Sequence, residues 1–342
     1  MNPGAFDPTR EGRVAWKRVA LFYGIAFGMV ALLGAAFALM RVDMTTGAPG
    51  VAIQLTVAFL YMPMPLIAGL IVERVAGRPA LLRATFREFG RTWWRILLYS
   101  TAAAAAVYVL NIMLVLLLGN VMHVPGMGSL VSTREALLAN LTAVAGRALP
   151  AKTVAGVPPL PLLYVLGLVT GVTAGFSING LFAFGEEYGW RGVLADELRP
   201  LGPMRANLLT GLMWGLWHAP LILLGYNYGE YRLIGVVMMC VWLVPFSALL
   251  WRAREYSGSV LAPAIIHGAF NGSAGFYLFF IASGNRLVTA PIGLIGVFTL
   301  SVVALAAWRL TEGRLFVPSL PLADEATAAA AVSPATLPEP SV

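Results

Sequence analysis

Residues 19–40 decide the fold, and they read VALFYGIAFGMVALLGAAFALM without a charged residue. A helix needs about 20 apolar residues to cross the hydrocarbon core of a bilayer, so this stretch is long enough to span one. It is also longer than the apolar core of a cleaved signal peptide, which has roughly 7–15 residues. We therefore expect a retained first transmembrane helix.

Seven similar runs follow this first one. The eight predicted spans are 19–40, 51–72, 96–118, 159–184, 206–224, 233–251, 259–283 and 288–308. The chain is 59% hydrophobic and only 11% charged, whereas an average soluble domain carries about 25% charged residues. The sequence thus predicts an all-α, polytopic membrane protein with about eight transmembrane helices, whose main surrounding partner is the lipid bilayer.

The predicted spans divide the chain into three parts. Residues 1–158 hold the first three helices, a basic amphipathic surface helix at 79–92 and an outer loop at 120–158. Within that loop, 133–149 has the spacing of a short interfacial helix. Residues 159–310 form the membrane-embedded core. Residues 311–342 are rich in Ala, Pro and Ser, which predicts a disordered cytoplasmic tail.

The net charge of +7 is explained by membrane topology. With eight spans, 17 of the 23 Lys and Arg residues fall on the side that holds both termini. Basic residues concentrate in cytoplasmic loops, so we expect a cell-membrane protein with both termini in the cytoplasm. The charge therefore gives no reason to expect a nucleic-acid partner. The single cysteine, Cys240, excludes a disulfide framework and a cysteine-based metal site.

The first polar cluster ends the fourth span. Glu187 and Arg191 are four residues apart, which predicts an ion pair on one helix face. Glu186 points about 100° away from that face and is left free. A carboxylate in a low-dielectric pocket suits a general base, and ionisable groups in a bilayer usually have a function. Taken alone, the cluster equally fits a salt bridge at a helix end.

The second cluster lies on the fifth span. Gly211 and Gly215 form a pair of small residues that lets a neighbouring helix approach closely. His218 follows on the edge of that face, and Pro220 interrupts the hydrogen-bond ladder beside it, so the helix is expected to bend or loosen there. A lone histidine at such a position equally fits a structural hydrogen bond between helices.

The third cluster lies on the seventh span, where His267 and Asn271 are four residues apart and project side by side. An interhelical polar clasp is again the ordinary alternative. Other intramembrane protease signatures do not occur in the chain: there is no His-Glu-x-x-His, no Gly-x-Ser-Gly with a helical histidine partner, and no pair of intramembrane aspartates. Glu, His and Asn are what remains for catalysis.

These three clusters together resemble the motifs of the type II CAAX prenyl endopeptidase and bacteriocin-processing (CPBP) family, a group of membrane peptidases that includes lysostaphin-resistance-like proteins. The motifs are Glu186-Glu-Tyr-Gly-Trp-Arg191, Trp214-Gly-Leu-Trp-His218 and His267-Gly-Ala-Phe-Asn271. The resemblance covers about residues 160–276. Trp214 stands where the family usually has Phe, which we interpret as an exchange of one aromatic residue for another.

The resemblance implies an intramembrane endopeptidase whose site opens to the cytoplasmic side. The implied catalytic residues are Glu186, His218, His267 and Asn271, with Glu187 and Arg191 in support. The first two would activate a water, and the last two would hold the oxyanion. Alternatively, Glu186, His218 and His267 would bind zinc, with Glu187 as the base. We favour a metal-free site without a cofactor, because no carboxylate partner for the histidines is evident.

The expected partner is a membrane-anchored peptide or protein substrate, either CAAX-type or bacteriocin-related. A transporter or channel is a second hypothesis, but the polar residues occupy three spans on one side and the halves show no inverted repeat. A third hypothesis is a non-catalytic immunity or scaffold protein. The sequence defines no oligomeric state.

Overall fold

The first half of the chain is built from long apolar helices. The structure is a computed structural model that describes residues 13–45, 51–77, 81, 85 and 89–315. Its first helices are α1 (Trp16–Leu39), α2 (Val51–Thr56), α3 (Met64–Val75) and α4 (Phe89–Val115). Short π-helical segments at Val57–Tyr61 and Leu116–Val121 extend α2 and α4. These helices cover the first three predicted spans.

The second half contains more and shorter helices. They are α5 (Arg134–Ala145), α6 (Ala151–Ala155), α7 (Leu160–Thr173), α8 (Ile178–Glu187), α9 (Ala195–Leu198), α10 (Pro203–Trp217), α11 (Ala219–Ile222), α12 (Arg232–Ser257), α13 (Leu261–Phe280) and α14 (Leu294–Leu310). A π-helical segment, Tyr188–Leu194, joins α8 to α9, and 3₁₀ turns lie at Ala174–Phe176 and Arg199–Leu201. Helices therefore occupy part of every predicted span.

Apolar length confirms the predicted all-α, polytopic membrane class. Within the described residues, four helical segments are long and apolar enough to cross a membrane: Trp16–Leu39, Ala52–Val75, Phe89–Val121 and Arg232–Ser257. The bent pair Leu160–Phe176 and Ile178–Leu201 makes a fifth if its two helices are counted as one span. Large apolar side chains face outward, including Leu39 at 86% and Leu233 at 78% exposure. The number of eight spans stays a prediction, because α10 and α14 have only 15 and 17 residues. The cytoplasmic position of the termini also stays a prediction.

The predicted outer loop contains more order than the sequence indicated. The helix expected at 133–149 is confirmed as α5, and the Thr133 hydroxyl caps it by accepting a hydrogen bond from the Ala136 amide at 3.1 Å. Strand β1 (Met127–Leu130) pairs antiparallel with β2 (Ile281–Gly284). The predicted seventh span therefore ends as a helix at Phe280 and continues as a strand, which the apolar pattern alone did not indicate.

Two predicted segments fall largely outside the described residues. The amphipathic helix at 79–92 includes 79–80, 82–84 and 86–88, and the predicted disordered tail includes 316–342. Both stay predictions.

The fourth predicted span is not one straight helix. Its two halves, before and after Ser177, are bent by 50°. Close packing accompanies the bend: a Cβ added at Gly175 would lie 2.0 Å from the Ile265 backbone oxygen. After the bend, α8 packs against α13 at Gly180, where a Cβ on Gly268 would lie 2.5 Å from the Gly180 nitrogen. The bend therefore brings the end of α8 beside α13.

The predicted close approach at Gly211 and Gly215 is confirmed. A Cβ on Gly211 would lie 2.8 Å from the Val244 Cα, and one on Gly215 would lie 2.4 Å from the Cys240 Cα. Both contacts are with α12, so any larger side chain at these positions would push α10 and α12 apart. This packing fixes the helix that leads to His218.

Candidate functional site

The Glu187 carboxylate holds two basic side chains in the buried centre of the protein. The Arg191 Nη1 atom donates to Glu187 Oε1 at 3.2 Å and lies 3.1 Å from Oε2, which confirms the predicted ion pair. The Nδ1 atom of His267 lies 2.8 Å from Oε1 of the same carboxylate. Glu187 and Arg191 are fully buried, and His267 is 5% exposed. Glu187 therefore joins α8 to α13 as well as anchoring its own helix.

Glu186 has a different environment although it is the neighbouring residue. It is 3% exposed, and its Oε2 accepts a hydrogen bond from the indole Nε1 of Trp214 at 2.9 Å. Electrostatic interactions also couple Glu186 with His267 and Arg191. The Glu186 carboxylate, which the sequence left free, thus accepts one hydrogen bond from a neutral donor. It also interacts electrostatically with Arg191 and His267, the two partners of Glu187.

His218 occupies the break between α10 and α11. Pro220 cannot donate a backbone hydrogen bond, and α10 ends at Trp217, as the sequence predicted. The backbone N–H of His218 donates to the Gly215 oxygen at 3.1 Å. The Trp214 carbonyl lies 2.8 Å from the His218 Nδ1. A break in the helix therefore releases a carbonyl group that orients the imidazole ring.

These contacts fix which nitrogen of each imidazole carries hydrogen. A carbonyl oxygen only accepts, so the Nδ1 of His218 must donate to Trp214. An ionised carboxylate also only accepts, so the Nδ1 of His267 donates to Glu187. In both rings Nε2 is left to act in chemistry, either as a proton acceptor or, when protonated, as a donor.

Asn271 completes the predicted set without a defined contact. It lies one helical turn after His267 on α13 and is half-buried. Its amide makes no hydrogen bond to any residue in the described part of the chain. The amide is therefore available to a ligand, whereas the side chains of Glu186, Glu187 and His267 are already held by protein groups.

Two further residues shape the site and were missed as contributors. The indole of Trp214 donates to Glu186, so the expected exchange of one aromatic residue for another is chemically unequal, because Phe has no N–H. The Tyr61 hydroxyl donates to the carbonyl oxygen of Trp217, the residue before His218. The motif aromatic pointed to Trp214, but no sequence pattern linked Tyr61 to the histidine 157 positions later in the chain.

The residues offered as zinc ligands do not form a ready ligand set. Among the described residues, no three His, Cys, Asp or Glu side chains are grouped so that they could hold a metal ion. The Glu186 carboxylate is bonded to Trp214, and Glu187 is engaged by Arg191 and His267. Contrary to our expectation, one histidine does have a carboxylate partner, because His267 Nδ1 bonds to Glu187. Freedom from metal stays a prediction.

The fold and the site define a class: a polytopic, all-α membrane protein in which Glu and His side chains from three helical segments come together in its interior. Residues 157–273 match the family model described as type II CAAX prenyl endopeptidase Rce1-like. This match confirms the resemblance predicted from the three motifs, and it covers the part of the chain that carries them.

A curated relative supports the same placement. The chain is 29% identical over 96 residues to CAAX prenyl protease 2 of Methanococcus maripaludis. The alignment covers 25% of this chain and 34% of the relative. The similarity therefore spans about a third of the length of that protein.

Proposed function

We propose that the protein is an intramembrane endopeptidase of glutamate type that hydrolyses a peptide bond in a membrane-anchored substrate. The observation that carries this proposal is the convergence of Glu186, His218 and His267 around the single indole of Trp214. The ring centroids of His218 and His267 lie 6.0 Å and 5.3 Å from that of Trp214. Three helical segments thus deliver a base and two imidazoles to one place, as general acid–base catalysis requires.

In the proposed reaction, the Glu186 carboxylate takes a proton from a water molecule, and the hydroxide attacks the carbonyl carbon of the scissile bond. The Nε2 atom of His218 faces the same water and shares or passes on the proton. The proton then moves to the leaving amine nitrogen as the C–N bond breaks. The water thus supplies the hydroxyl group of the new carboxylic acid and one hydrogen of the new amine.

The negative oxygen of the tetrahedral intermediate needs preorganised donors. Asn271 supplies an amide N–H that has no partner in the described residues. His267 can donate from Nε2 only as an imidazolium, because its Nδ1 keeps a hydrogen that it donates to Glu187. The Glu187 carboxylate stabilises that cation, so the pair with His267 serves the oxyanion as well as the fold.

The family assignment supports a substrate held at the membrane. We propose a CAAX-type or bacteriocin-related peptide that enters from the cytoplasmic side of the cell membrane. The apolar outer surface fits a site reached from within the bilayer. An oligomeric partner is not required by the proposed chemistry.

The test uses the full chain purified in detergent and reconstituted into liposomes. Prenylated CAAX-type peptides and non-prenylated lipid-anchored peptides are offered, and products are read by mass spectrometry. Cleavage by the native protein that is lost in Glu186→Ala, His218→Ala and His267→Ala, with folded protein retained, is the expected result. Turnover by His218→Ala would remove that residue from the mechanism. If peptidomes of membranes with native and Glu186→Ala protein are identical, the proposed activity is wrong.

The metal-free version has its own test. We expect active protein to contain no stoichiometric zinc by elemental analysis and to resist strong chelators. Stoichiometric zinc, together with inactivation by chelator and recovery on adding zinc, would overturn this version and leave the peptidase proposal in place.

A further inference from the structure

We propose that Trp214 is a positioning residue that holds the Glu186 carboxylate through its indole N–H and holds the Arg191 guanidinium against its ring face. This inference rests on the proposed peptidase function for its kinetic consequences. The contacts themselves are independent of that function.

The first contact sets the orientation of the proposed base. The indole Nε1 donates to Glu186 Oε2 at 2.9 Å, and Trp214 is 1% exposed. A carboxylate side chain has three rotatable bonds, and no described residue other than Trp214 donates a hydrogen bond to this one. Fixing one oxygen on the indole therefore restricts rotation of the carboxylate and leaves Oε1 as the oxygen that would bind the proposed water.

The second contact joins Glu186 to the charged group around Glu187. The Arg191 guanidinium carbon lies 4.0 Å from the centroid of the Trp214 ring, within the range of a cation–π interaction. The Nε and Nη2 atoms of Arg191 are buried and have no hydrogen-bond partner within the described ranges. The aromatic face therefore provides stabilisation for a buried cation that hydrogen bonds only partly satisfy.

Neighbouring rings hold the indole itself in place. Phe246 stacks on Trp214 with an interplanar angle of 16° and centroids 5.8 Å apart. His267 meets the ring at 71°, in an edge-to-face arrangement. The indole thus touches Glu186, Arg191 and His267, and its backbone carbonyl orients His218. A single residue therefore contacts Glu186, Arg191 and both histidines.

The test separates the effect of the hydrogen bond that the Trp214 indole donates to Glu186 from the effect of the packing of its ring. Trp214→Phe removes the donor but keeps an aromatic face for Arg191, so we expect kcat to fall about 10- to 100-fold with little change in KM. The matched control is Trp242→Phe, which removes the indole N–H of another buried tryptophan, 3% exposed, that donates to the Pro291 oxygen at 2.9 Å. We expect the control to keep native kcat. Equal kcat in native and Trp214→Phe protein would overturn the proposal.

A double-mutant cycle tests the coupling between the two residues. Glu186→Asp keeps the carboxylate charge but moves it away from the indole. If Trp214→Phe does not fold, the fall in kcat of Glu186→Asp tests the same hydrogen bond. We expect Trp214→Phe to have little further effect in the Glu186→Asp background, because the bond is already lost. Additive losses would show that Trp214 acts only through general packing.

An activity-independent measurement distinguishes failure of this inference from failure of the proposed function. In ¹⁵N-tryptophan-labelled protein, the indole N–H resonance of Trp214 should move on Glu186→Gln replacement, while that of Trp242 stays in place. A Trp214 resonance that does not respond to Glu186→Gln contradicts the positioning role, whether or not any substrate has been found.

Discussion

Glu186 and Glu187 are adjacent in the sequence and almost equally buried, yet their partners differ in kind. Glu187 contacts two basic side chains, Arg191 and His267, at 2.8–3.2 Å. Glu186 accepts one hydrogen bond from the neutral indole of Trp214. The charge of Glu187 is therefore balanced by basic side chains in direct contact, whereas the charge of Glu186 has no basic side chain in direct contact.

This difference separates a structural role from a chemical one. A buried charge without a direct partner costs several kcal/mol, so a protein keeps it only where it has a use. A carboxylate that is ion-paired with basic side chains is a poor base, because those partners stabilise its charged form. This contrast supports the catalytic role that we propose for Glu186, whereas Glu187 contacts His267 and Arg191.

The largest expected effect is the loss of stability on removing the Glu187 carboxylate. Glu187→Ala leaves Arg191 fully buried without its carboxylate, and removing one partner of a buried pair costs about 3–5 kcal/mol. We expect a corresponding fall in the free energy of unfolding, measured by denaturant titration in detergent. Glu197→Ala is the control: Glu197 is also buried, but its partner Arg18 is 33% exposed and can turn to water, so the loss should be smaller. Equal losses would contradict the special status of Glu187.

The next largest expected effect is the loss of catalytic rate on removing the Asn271 amide. Asn271→Ala removes the proposed oxyanion donor, and loss of one such donor lowers kcat by about 10²–10³-fold. Unfolding should be nearly unchanged, because the amide has no hydrogen bond to the described residues. Asn140→Ala is a control on α5, where the amide bonds to the carbonyls of Leu278 and Phe279. A native rate in Asn271→Ala with single-turnover kinetics would exclude the residue from the site.

The smallest effect concerns the support behind His218. Tyr61→Phe leaves the Trp217 carbonyl without its buried donor, which should cost about 1–2 kcal/mol of unfolding free energy. Tyr99→Phe removes a longer bond, 3.3 Å to the Leu249 oxygen, and serves as the control. A thermal shift no larger than that of Tyr99→Phe would show that the break at His218 does not depend on Tyr61.

Local features of this comparison were predictable from the sequence. The spacing of Glu187 and Arg191 predicted their ion pair, and Pro220 predicted the break beside His218. Both depend on the geometry of one helix. The apolar runs predicted the all-α membrane class for the same reason, since a bilayer imposes length and hydrophobicity on each segment.

Contacts between distant segments were not predictable. Glu187 and His267 are 80 positions apart, and Glu186 and Trp214 are 28 apart, so no periodicity links them. The bend at Ser177 was missed because the apolar run continues through it. It depends instead on the fit of Gly175 against α13, which exists only in the packed molecule.

The most direct test of the central claim is to measure cleavage and unfolding together on Glu186→Gln. This change keeps the shape of the side chain and removes the charge that has no direct partner. We expect cleavage to fall by at least about 10²-fold, while the free energy of unfolding equals or exceeds that of the native protein. Retained cleavage, or destabilisation as large as that of Glu187→Ala, would contradict it.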